Sequence, residues 1–295
     1  MRDNLILLLL RLLGRTPLRF NQQLGLLLGK FIWRFNPREK QNSLTNIKLC
    51  FPEKSPEWQQ KTAYEAFVQM TSTLLESPRI WRSNLQQVSK IIANPEVVEE
   101  ILDVYKKGKG LMLAAPHLGN WEIIGQIFGP RTAMTTLYRP AESEKLSTWI
   151  KRARQNAGAE LAPTTASGVK KLSKALAQGN CSGILPDQEP EAGGGSFIPF
   201  FGQPAYTMHL LTRLVRKRKI PVVFIFAERT KNGRYKLHTE WQREEIYNPS
   251  VEVACTTMNQ QIESIIRRCP SQYNWAYKRF KTQPDGTDLY SKNSS

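Results

Sequence analysis

This 295-residue sequence has only three histidines, four widely spaced cysteines, and 25 acidic residues against 42 basic ones. Cys50, Cys181, Cys255 and Cys269 form no Cys-x-x-Cys or similar pair, so neither a metal site nor a disulfide framework is predicted. Reduced, buried thiols are expected instead. A net charge of +17 favours anionic partners. Because the sequence has no helix-turn-helix, zinc-finger or aromatic RNA-binding pattern, nucleic acid ranks last among them.

The sequence also lacks a hydrophobic run long enough to cross a bilayer as a helix, which takes about 20 apolar residues. Residues 5–10 are apolar on every face, but Arg11 follows them. A second apolar stretch, residues 24–35, is interrupted by glycines and basic residues. We therefore predict that residues 1–35 form a membrane anchor of interfacial helices. A single tilted span, or an amphipathic helix packed on the domain's own core, stays open as an alternative.

Short apolar segments alternate with helical patterns after residue 108. Strands are predicted over residues 111–115, 133–138, 181–185, 221–227 and 235–240. Helices are predicted over residues 55–76, 95–105, 121–128, 141–157, 167–178, 206–217 and 251–268. This alternation predicts an α/β fold with a mixed, mostly parallel central sheet flanked by helices. We expect it to occupy residues 36–283, followed by a flexible polar tail over residues 284–295.

The turn after the first predicted strand is the strongest candidate for chemistry. It reads Pro116-His117-Leu-Gly-Asn-Trp-Glu122, which places a carboxylate five residues after a histidine. A neutral imidazole can take a proton from an alcohol near neutral pH, and a carboxylate on its other nitrogen fixes the tautomer. The spacing is common by chance, but strand-to-helix junctions are where α/β folds bind ligands. We predict His117 as a general base oriented by Glu122.

Three further residues are expected beside this turn. Arg139 follows the second predicted strand, and Asp187 follows the strand over residues 181–185. Because the carboxyl ends of parallel strands meet at one edge of a sheet, both should lie near His117. Asn120 is a candidate N-cap for the next helix, and either the helix-start N–H groups near Gly119 and Asn120 or an arginine would stabilise an oxyanion.

Several blocks of sequence share their order with the motifs of one enzyme family. They are His117-Leu-Gly-Asn-Trp-Glu122, Leu137-Tyr-Arg-Pro140, Arg154-x3-Gly158, Ile184-Leu-Pro-Asp-Gln188, Gly194–Gly202 and Gln272–Lys281. Together they resemble the late acyltransferases of lipid A biosynthesis, within the His-x4-Asp/Glu glycerolipid acyltransferase group. Co-linear blocks over most of the chain are far more specific than one His-x4-Glu pair.

This resemblance implies an acyltransferase that moves a fatty acyl chain from acyl carrier protein to a hydroxyl of a lipid A precursor. It implies a membrane lipid acceptor, acyl carrier protein and an anionic membrane surface as partners. It places the catalytic domain on the cytoplasmic face of the bacterial inner membrane. No metal or redox cofactor is implied, and no acyl-enzyme is required, because a thioester is already activated.

The same resemblance suggests roles for individual residues. His117 would deprotonate the acceptor hydroxyl while Glu122 stabilises the imidazolium. Arg139 and Arg154 are candidates for binding anionic groups of the acceptor or of the donor's phosphopantetheine, because guanidinium matches phosphate geometry. A structural salt bridge is a nearly equal alternative for Arg154. Asn120 and Asp187 are also expected to bind substrate. Asp187 would position an arginine or a substrate hydroxyl.

The remaining aromatic and histidine candidates are weaker. Phe197, Phe200 and Phe201 are candidates for lining an acyl groove, although ordinary core packing explains them equally well. His209, on a predicted helix, and His238, on a predicted strand beside an acidic residue, are expected to be structural.

Three other functions stay open at this point. Motifs shared by the whole group do not exclude an acyltransferase that acts on another glycolipid, such as a phosphatidylinositol mannoside. A non-catalytic protein could use the basic surface to bind anionic membranes. A thioesterase or lipase is less favoured, because the sequence has no Gly-x-Ser-x-Gly.

Overall fold

A six-stranded sheet organises the chain in the computed structural model, which describes residues 2–140 and 143–291. The strands are β1 (Leu111–Ala114), β2 (Met134–Tyr138), β3 (Glu160–Pro163), β4 (Cys181–Ile184), β5 (Gly195–Phe200), β6 (Gln203–Met208), β7 (Val222–Arg229) and β8 (Tyr235–Trp241). The sheet has the order β3-β2-β4-β1-β7-β8, while β5 and β6 form a separate hairpin. Its strands pair in parallel except β8, which pairs antiparallel with β7. The predicted mixed, mostly parallel sheet is confirmed.

Helices cover both faces of this sheet. Those in the described residues are α1 (Arg2–Leu13), α2 (Leu18–Trp33), α3 (Pro37–Cys50), α4 (Pro56–Trp81), α5 (Leu85–Ile91), α6 (Glu96–Tyr105), α7 (Glu122–Phe128), α8 (Glu144–Gln155), α9 (Ala166–Ala177), α10 (Leu210–Arg216) and α11 (Val251–Arg268). Successive strand residues point to opposite faces. Leu113 therefore joins a hydrophobic cluster with α7, and Met112 joins another with α10 and α11.

The helix predicted over residues 206–217 is confirmed over Leu210–Arg216, but its predicted start is wrong. Residues 203–208 form β6, and α10 begins only at Leu210. Phe201 and Gly202 both take positive φ angles, 49° and 75°, which turns the chain back so that β6 pairs with β5. This pairing between two short segments outweighs the local helical pattern. Strand β3 and helices α3 and α5 are likewise present without having been predicted.

The N-terminal helices pack through a narrow polar face. Asn21, Gln22, Gly25 and Gly29 of α2 are buried, and this helix lies along α4. The outer face of α2 stays apolar and exposed, with Phe31 62% exposed. No helix among the described residues is both long and apolar enough to cross a bilayer. The membrane role predicted for residues 1–35 stays a prediction.

The predicted polar tail is partly attached to the core. Tyr290 is buried, and its hydroxyl donates to the Asn46 side chain. Its oxygen also accepts the backbone N–H of Phe280 at 3.0 Å. Residues 292–295 of that tail lie outside the described residues, as do residues 141 and 142 of the predicted helix over 141–157.

A buried ion pair joins α4 to the sheet. Glu76 accepts hydrogen bonds from Arg229 Nε at 2.6 Å and Nη2 at 2.7 Å. The same carboxylate accepts the Tyr235 hydroxyl at 2.6 Å and Asn120 Nδ2 at 2.7 Å. Burial alone would lower the pKa of Arg229. The charge of Glu76 raises the pKa by more than burial lowers it, so the guanidinium is charged. Glu76 thus connects α4, the β7–β8 hairpin and the turn after β1.

Glu76→Ala should lower the free energy of unfolding by about 3–5 kcal/mol, because it leaves a buried guanidinium without its carboxylate. Urea denaturation measures this loss. Glu65→Ala is the matched control on the same helix, since it removes the carboxylate of an exposed pair with Lys61. It should change the stability by about 0.5 kcal/mol or less. Equal losses in the two variants would contradict the structural importance of the buried pair.

Candidate active site

Three adjacent strands bring the predicted residues to one cleft. Strand β4 lies between β1 and β2. His117 follows β1, Asp187 follows β4, and Arg139 follows β2. The cleft at this edge has a volume of about 890 Å³, and its lining includes His117, Glu122, Arg139 and Arg154. Residues that are far apart in sequence are therefore neighbours at the carboxyl edge of the sheet.

Asp187 holds His117 through two hydrogen bonds. Its Oδ2 accepts the backbone N–H of His117 at 2.9 Å, and its Oδ1 lies 3.0 Å from His117 Nδ1. A carboxylate can only accept, so Nδ1 carries the proton. Nε2 is then the basic nitrogen, and the side-chain amide of Gln188 lies 3.3 Å from it. His117 and Gln188 both line the cleft. This is the tautomer that a general base requires.

The expected contact between Glu122 and His117 is wrong. Glu122 accepts hydrogen bonds from Arg154, at 3.0 Å from Nε and through a second, short contact with Nη2. It also accepts the indole N–H of Trp81 at 2.7 Å. The reason is that Glu122 begins α7 and turns towards α8 and the end of α4. Asp187, expected to position an arginine or a substrate hydroxyl, occupies the place beside the imidazole.

Opposing electrostatic effects keep both carboxyl groups ionised. Burial raises the pKa of Asp187, but the charge and hydrogen bonds of His117 outweigh burial and leave that pKa below its ordinary value. Burial likewise raises the pKa of Glu122, and the charge and hydrogen bonds of Arg154 bring it below the ordinary value. The pKa of Arg154 is raised, because the attraction of Glu122 exceeds the cost of burial. The site thus contains two paired carboxylates, of which Glu122 lines the cleft and Asp187 lies buried behind His117.

Neighbouring backbone fixes the His117 loop, residues 116–120. Gly119 has a φ of 61°, and a Cβ there would lie 2.1 Å from the carbonyl oxygen of Ala227, so only glycine fits. The N–H of Gly119 donates to Gln272 O at 3.0 Å, and that of Asn120 donates to Ala227 O at 2.9 Å. These two N–H groups are already bonded, so they are not free to stabilise an oxyanion. The block that starts at Gln272 instead supports the loop.

Asn120 is not the N-cap of the following helix. Helix α7 begins at Glu122 and is preceded by Trp121, with no side-chain cap. Asn120 is fully buried and donates to Glu76, beneath the loop. A direct contact with substrate, as predicted for Asn120, does not fit this position, because the side chain faces the buried ion pair.

The two predicted arginines differ in their surroundings. Arg154 is paired with Glu122, and its guanidinium lies 5.4 Å from the Trp81 ring and 5.8 Å from the Tyr138 ring. The salt bridge considered as an alternative is therefore present, although a third of the side chain stays exposed in the cleft. Arg139 is exposed on the cleft wall.

An apolar arm of the cleft runs over the face of the sheet beside α7. Its lining includes Leu113, Ile124, Met134 and Leu161. Gly183 of β4 lies in register with Leu113 of β1, and a Cβ at Gly183 would be 2.6 Å from the Met134 methyl group. The phenylalanines predicted for an acyl groove lie elsewhere: Phe200 and Phe201 are buried in the core, and Phe197 is exposed.

Sequence reasoning missed several supporting residues. Gln188 contacts the basic nitrogen of His117, and the Trp121 ring lies 5.0 Å from the imidazole. Tyr273 is hydrogen-bonded to Asp187, and burial together with the charge of that carboxylate raises the pKa of Tyr273. All three lie inside or beside the recognised blocks, which was the available signal. Within residues 2–140 and 143–291, no three His, Cys, Asp or Glu side chains are grouped to hold a metal ion.

Comparison with known proteins points to one family. The pattern of the bacterial lipid A biosynthesis acyltransferases matches residues 2–282. The chain is 28% identical over 285 residues to the lipid A biosynthesis lauroyltransferase of Escherichia coli K12, covering 93% of this chain and 90% of that protein. It is 27% identical over 272 residues to the palmitoleoyltransferase of the same organism, covering 90% and 87%. It is 21% identical over 277 residues to the lipid A biosynthesis myristoyltransferase of Escherichia coli K12, covering 92% of this chain and 84% of that protein.

Acidification should weaken the site's contribution to stability. Asp187 and Glu122 have native pKa values below their ordinary values of 3.8 and 4.5. Such groups stabilise the fold fully above the unfolded-state pKa and lose that effect as the pH falls through the native pKa. We expect the free energy of unfolding to fall less steeply from about pH 6 to about pH 3 in Asp187→Asn than in the wild type. Urea denaturation at each pH measures the slope.

Asp103→Asn is the control for this measurement. Asp103 belongs to an exposed pair with Lys106, so its removal should keep the wild-type dependence on pH. If Asp187→Asn kept the wild-type slope as well, the depressed pKa of Asp187 would be contradicted.

Proposed function

This chain belongs to the bacterial lipid A biosynthesis acyltransferase family, and from that membership we propose that it moves an acyl chain from an acyl carrier protein thioester to a lipid A precursor. Acyl transfer in lipid A biosynthesis is the activity of the family. The donor and the catalytic residues are our proposal. The observation that carries it is a base-competent His117, held by Asp187, at the wall of a cleft with an apolar arm.

In the proposed reaction, Nε2 of His117 takes the proton of the acceptor hydroxyl. The alkoxide attacks the thioester carbonyl and forms a tetrahedral oxyanion. When this intermediate collapses, the carbon–sulfur bond breaks and the imidazolium returns its proton to the departing thiolate. Asp187 stabilises the imidazolium and keeps the proton on Nδ1 between turnovers.

Glu122 has a different part in this proposal from the one expected from its spacing. It holds Arg154 by two hydrogen bonds, and Trp81 holds Glu122 in turn. The guanidinium of Arg154 lines the cleft and is charged, so it is the group we assign to the developing oxyanion. Glu122 is then a positioning residue for Arg154. The apolar arm beside α7 is the place we assign to the acyl chain, because its lining offers apolar side chains.

His117→Ala should reduce acyl transfer by about 10²–10⁴-fold, because it removes the general base. Asp187→Asn should also reduce acyl transfer, because an amide at this position can stabilise the wrong tautomer of His117. Glu122→Ala should cost about 10²–10³-fold through the misplaced Arg154. The assay uses acyl carrier protein thioesters of several chain lengths and a lipid A precursor, and mass spectrometry identifies the lipid that gains an acyl group.

His238→Ala is the matched control for these variants. His238 is also bonded to a carboxylate, with its Nε2 2.6 Å from Glu228, but it lies outside the cleft. Its rate should stay close to wild type. Normal turnover in His117→Ala, with a folded protein, would end the proposed role of His117. Hydrolysis of the donor that dominates over acyl transfer would instead favour a thioesterase.

We also propose that α1 and α2 rest on the anionic inner-membrane surface, on its cytoplasmic side. Leu5, Leu8 and Leu12 of α1 are each at least half exposed, as are Leu27 and Phe31 of α2. Basic residues are interspersed among them, namely Arg11, Arg15, Arg19, Lys30 and Arg34. Exposed apolar side chains beside basic ones suit the interface of an anionic bilayer.

Leu8→Asp combined with Phe31→Asp should release the protein from vesicles that contain anionic lipid, because two charges would have to enter the apolar region. Flotation of the full-length chain with such vesicles measures binding. Val253→Asp is the control, since Val253 is an exposed apolar residue on α11, outside α1 and α2. Unchanged flotation of the double variant would contradict this orientation.

A further inference from the structure

One wall of the cleft carries three cations that have no carboxylate partner among the described residues. Arg139 follows β2, Lys170 lies on α9 and Arg213 lies on α10, and all three line the cleft that contains His117. Within the described part of the chain, none of these three side chains has a hydrogen bond or an ion pair. Arg154 differs from them, because Glu122 binds it directly. The wall therefore holds three positive charges without a direct carboxylate partner in the part of the chain that the structure describes.

His209 stands on the same wall with an unsatisfied ring nitrogen. It is only 9% exposed, yet it belongs to the lining of the cleft. Its Nε2 lies 2.8 Å from the Ser196 hydroxyl, whereas Nδ1 is buried and has no hydrogen-bond partner among the described residues. Burial, with the charge of Arg213, lowers the pKa of His209, so the ring is neutral near pH 7. Buried polar atoms are nearly always paired, so an orphaned one indicates a ligand or water.

We propose that Arg139, Lys170, His209 and Arg213 form a subsite for a phosphate ester. This proposal rests on the proposed function only for the identity of the substrates. Guanidinium groups bind phosphate through paired hydrogen bonds, and a lysine adds a compact positive charge. Several unpaired cations suit a multiply charged phosphate better than a single carboxylate. Glu189 and Glu191 also line the cleft, but Glu189 pairs with Lys281, so Glu191 alone reduces the charge of the three cations and an excess remains.

The phosphate has two possible sources with the same chemistry. One is the phosphodiester of the acyl carrier protein's pantetheine arm, and the other is a phosphate on the sugar of the acceptor lipid. Either source would fix its substrate on the α9–α10 side of the cleft while the acyl chain occupies the arm beside α7. The thioester carbonyl and the acceptor hydroxyl would then meet at His117, between the two sides.

Steady-state kinetics of the full-length protein test this subsite. Lys170→Gln and Arg213→Gln should each raise KM for the phosphate-bearing substrate by about tenfold, with little change in kcat, because a charge-assisted hydrogen bond is lost. Lys174→Gln and Lys217→Gln are the matched controls. They remove the same charge from α9 and from the end of α10 respectively, outside the cleft. Both controls should keep the wild-type KM.

Substrates without phosphate separate the two sources. If the donor supplies the phosphate, the variants should have the same KM as wild type for an acyl-pantetheine donor that lacks the phosphate. If the acceptor supplies the phosphate, the variants should have the same KM as wild type for a dephosphorylated acceptor lipid. A KM effect that persists with both phosphate-free substrates, or one that the control variants share, would overturn the subsite.

Binding of inorganic phosphate provides a readout that does not need turnover. Calorimetric titration should show weaker binding to Arg213→Gln than to wild type and to Lys217→Gln. Phosphate binding in a protein that transfers no acyl chain would refute the proposed function and leave the subsite standing. Acyl transfer with equal phosphate affinity in all three proteins would refute the subsite alone.

Discussion

The buried ion pair between Glu76 and Arg229 is the constraint on which the cleft depends. Removing two charges from water is costly unless each is fully hydrogen-bonded, and here Glu76 accepts bonds from Arg229, Tyr235 and Asn120 at 2.6–2.7 Å. These partners come from β7, β8 and the His117 loop, while Glu76 belongs to α4. The pair therefore sets the position of the loop relative to the sheet. It also gives Asn120, which the spacing placed near substrate, a supporting position beneath the site.

Two carboxylates each hold one functional side chain of the cleft. Asp187 orients the imidazole of His117, and Glu122 holds the guanidinium of Arg154. The five-residue spacing between His117 and Glu122 is real in sequence, yet the turn of α7 directs the glutamate away from the histidine. The spacing identifies a site that contains both groups without defining which atoms touch. In our proposal, one pair moves the proton and the other stabilises the oxyanion.

Much of the fold follows from local patterns. Helix α11 begins and ends where its pattern predicts, at Val251 and Arg268, and β1, β2, β4 and β7 lie within about two residues of their predicted bounds. The β5–β6 hairpin was misread, because its stability comes from pairing between the two segments rather than from the propensity of either one. For the same reason the cationic wall went unnoticed. Lys170 and Arg213 look like ordinary exposed residues of amphipathic helices until the fold brings α9 and α10 to the lining of one cleft.

Local chemistry was enough to reveal the alternation of strands and helices, the strand-end positions of His117, Arg139 and Asp187, and the family blocks around them. Hydrophobic periodicity and turn residues act over a few positions, so they can be read without knowing the rest of the chain. The identity of the acid that reaches His117 required the folded chain. His117 and Asp187 are 70 positions apart, and they touch because β4 lies beside β1 in the sheet. Strand order is set by the packing of the whole core, which is why the nearby Glu122 was the wrong choice.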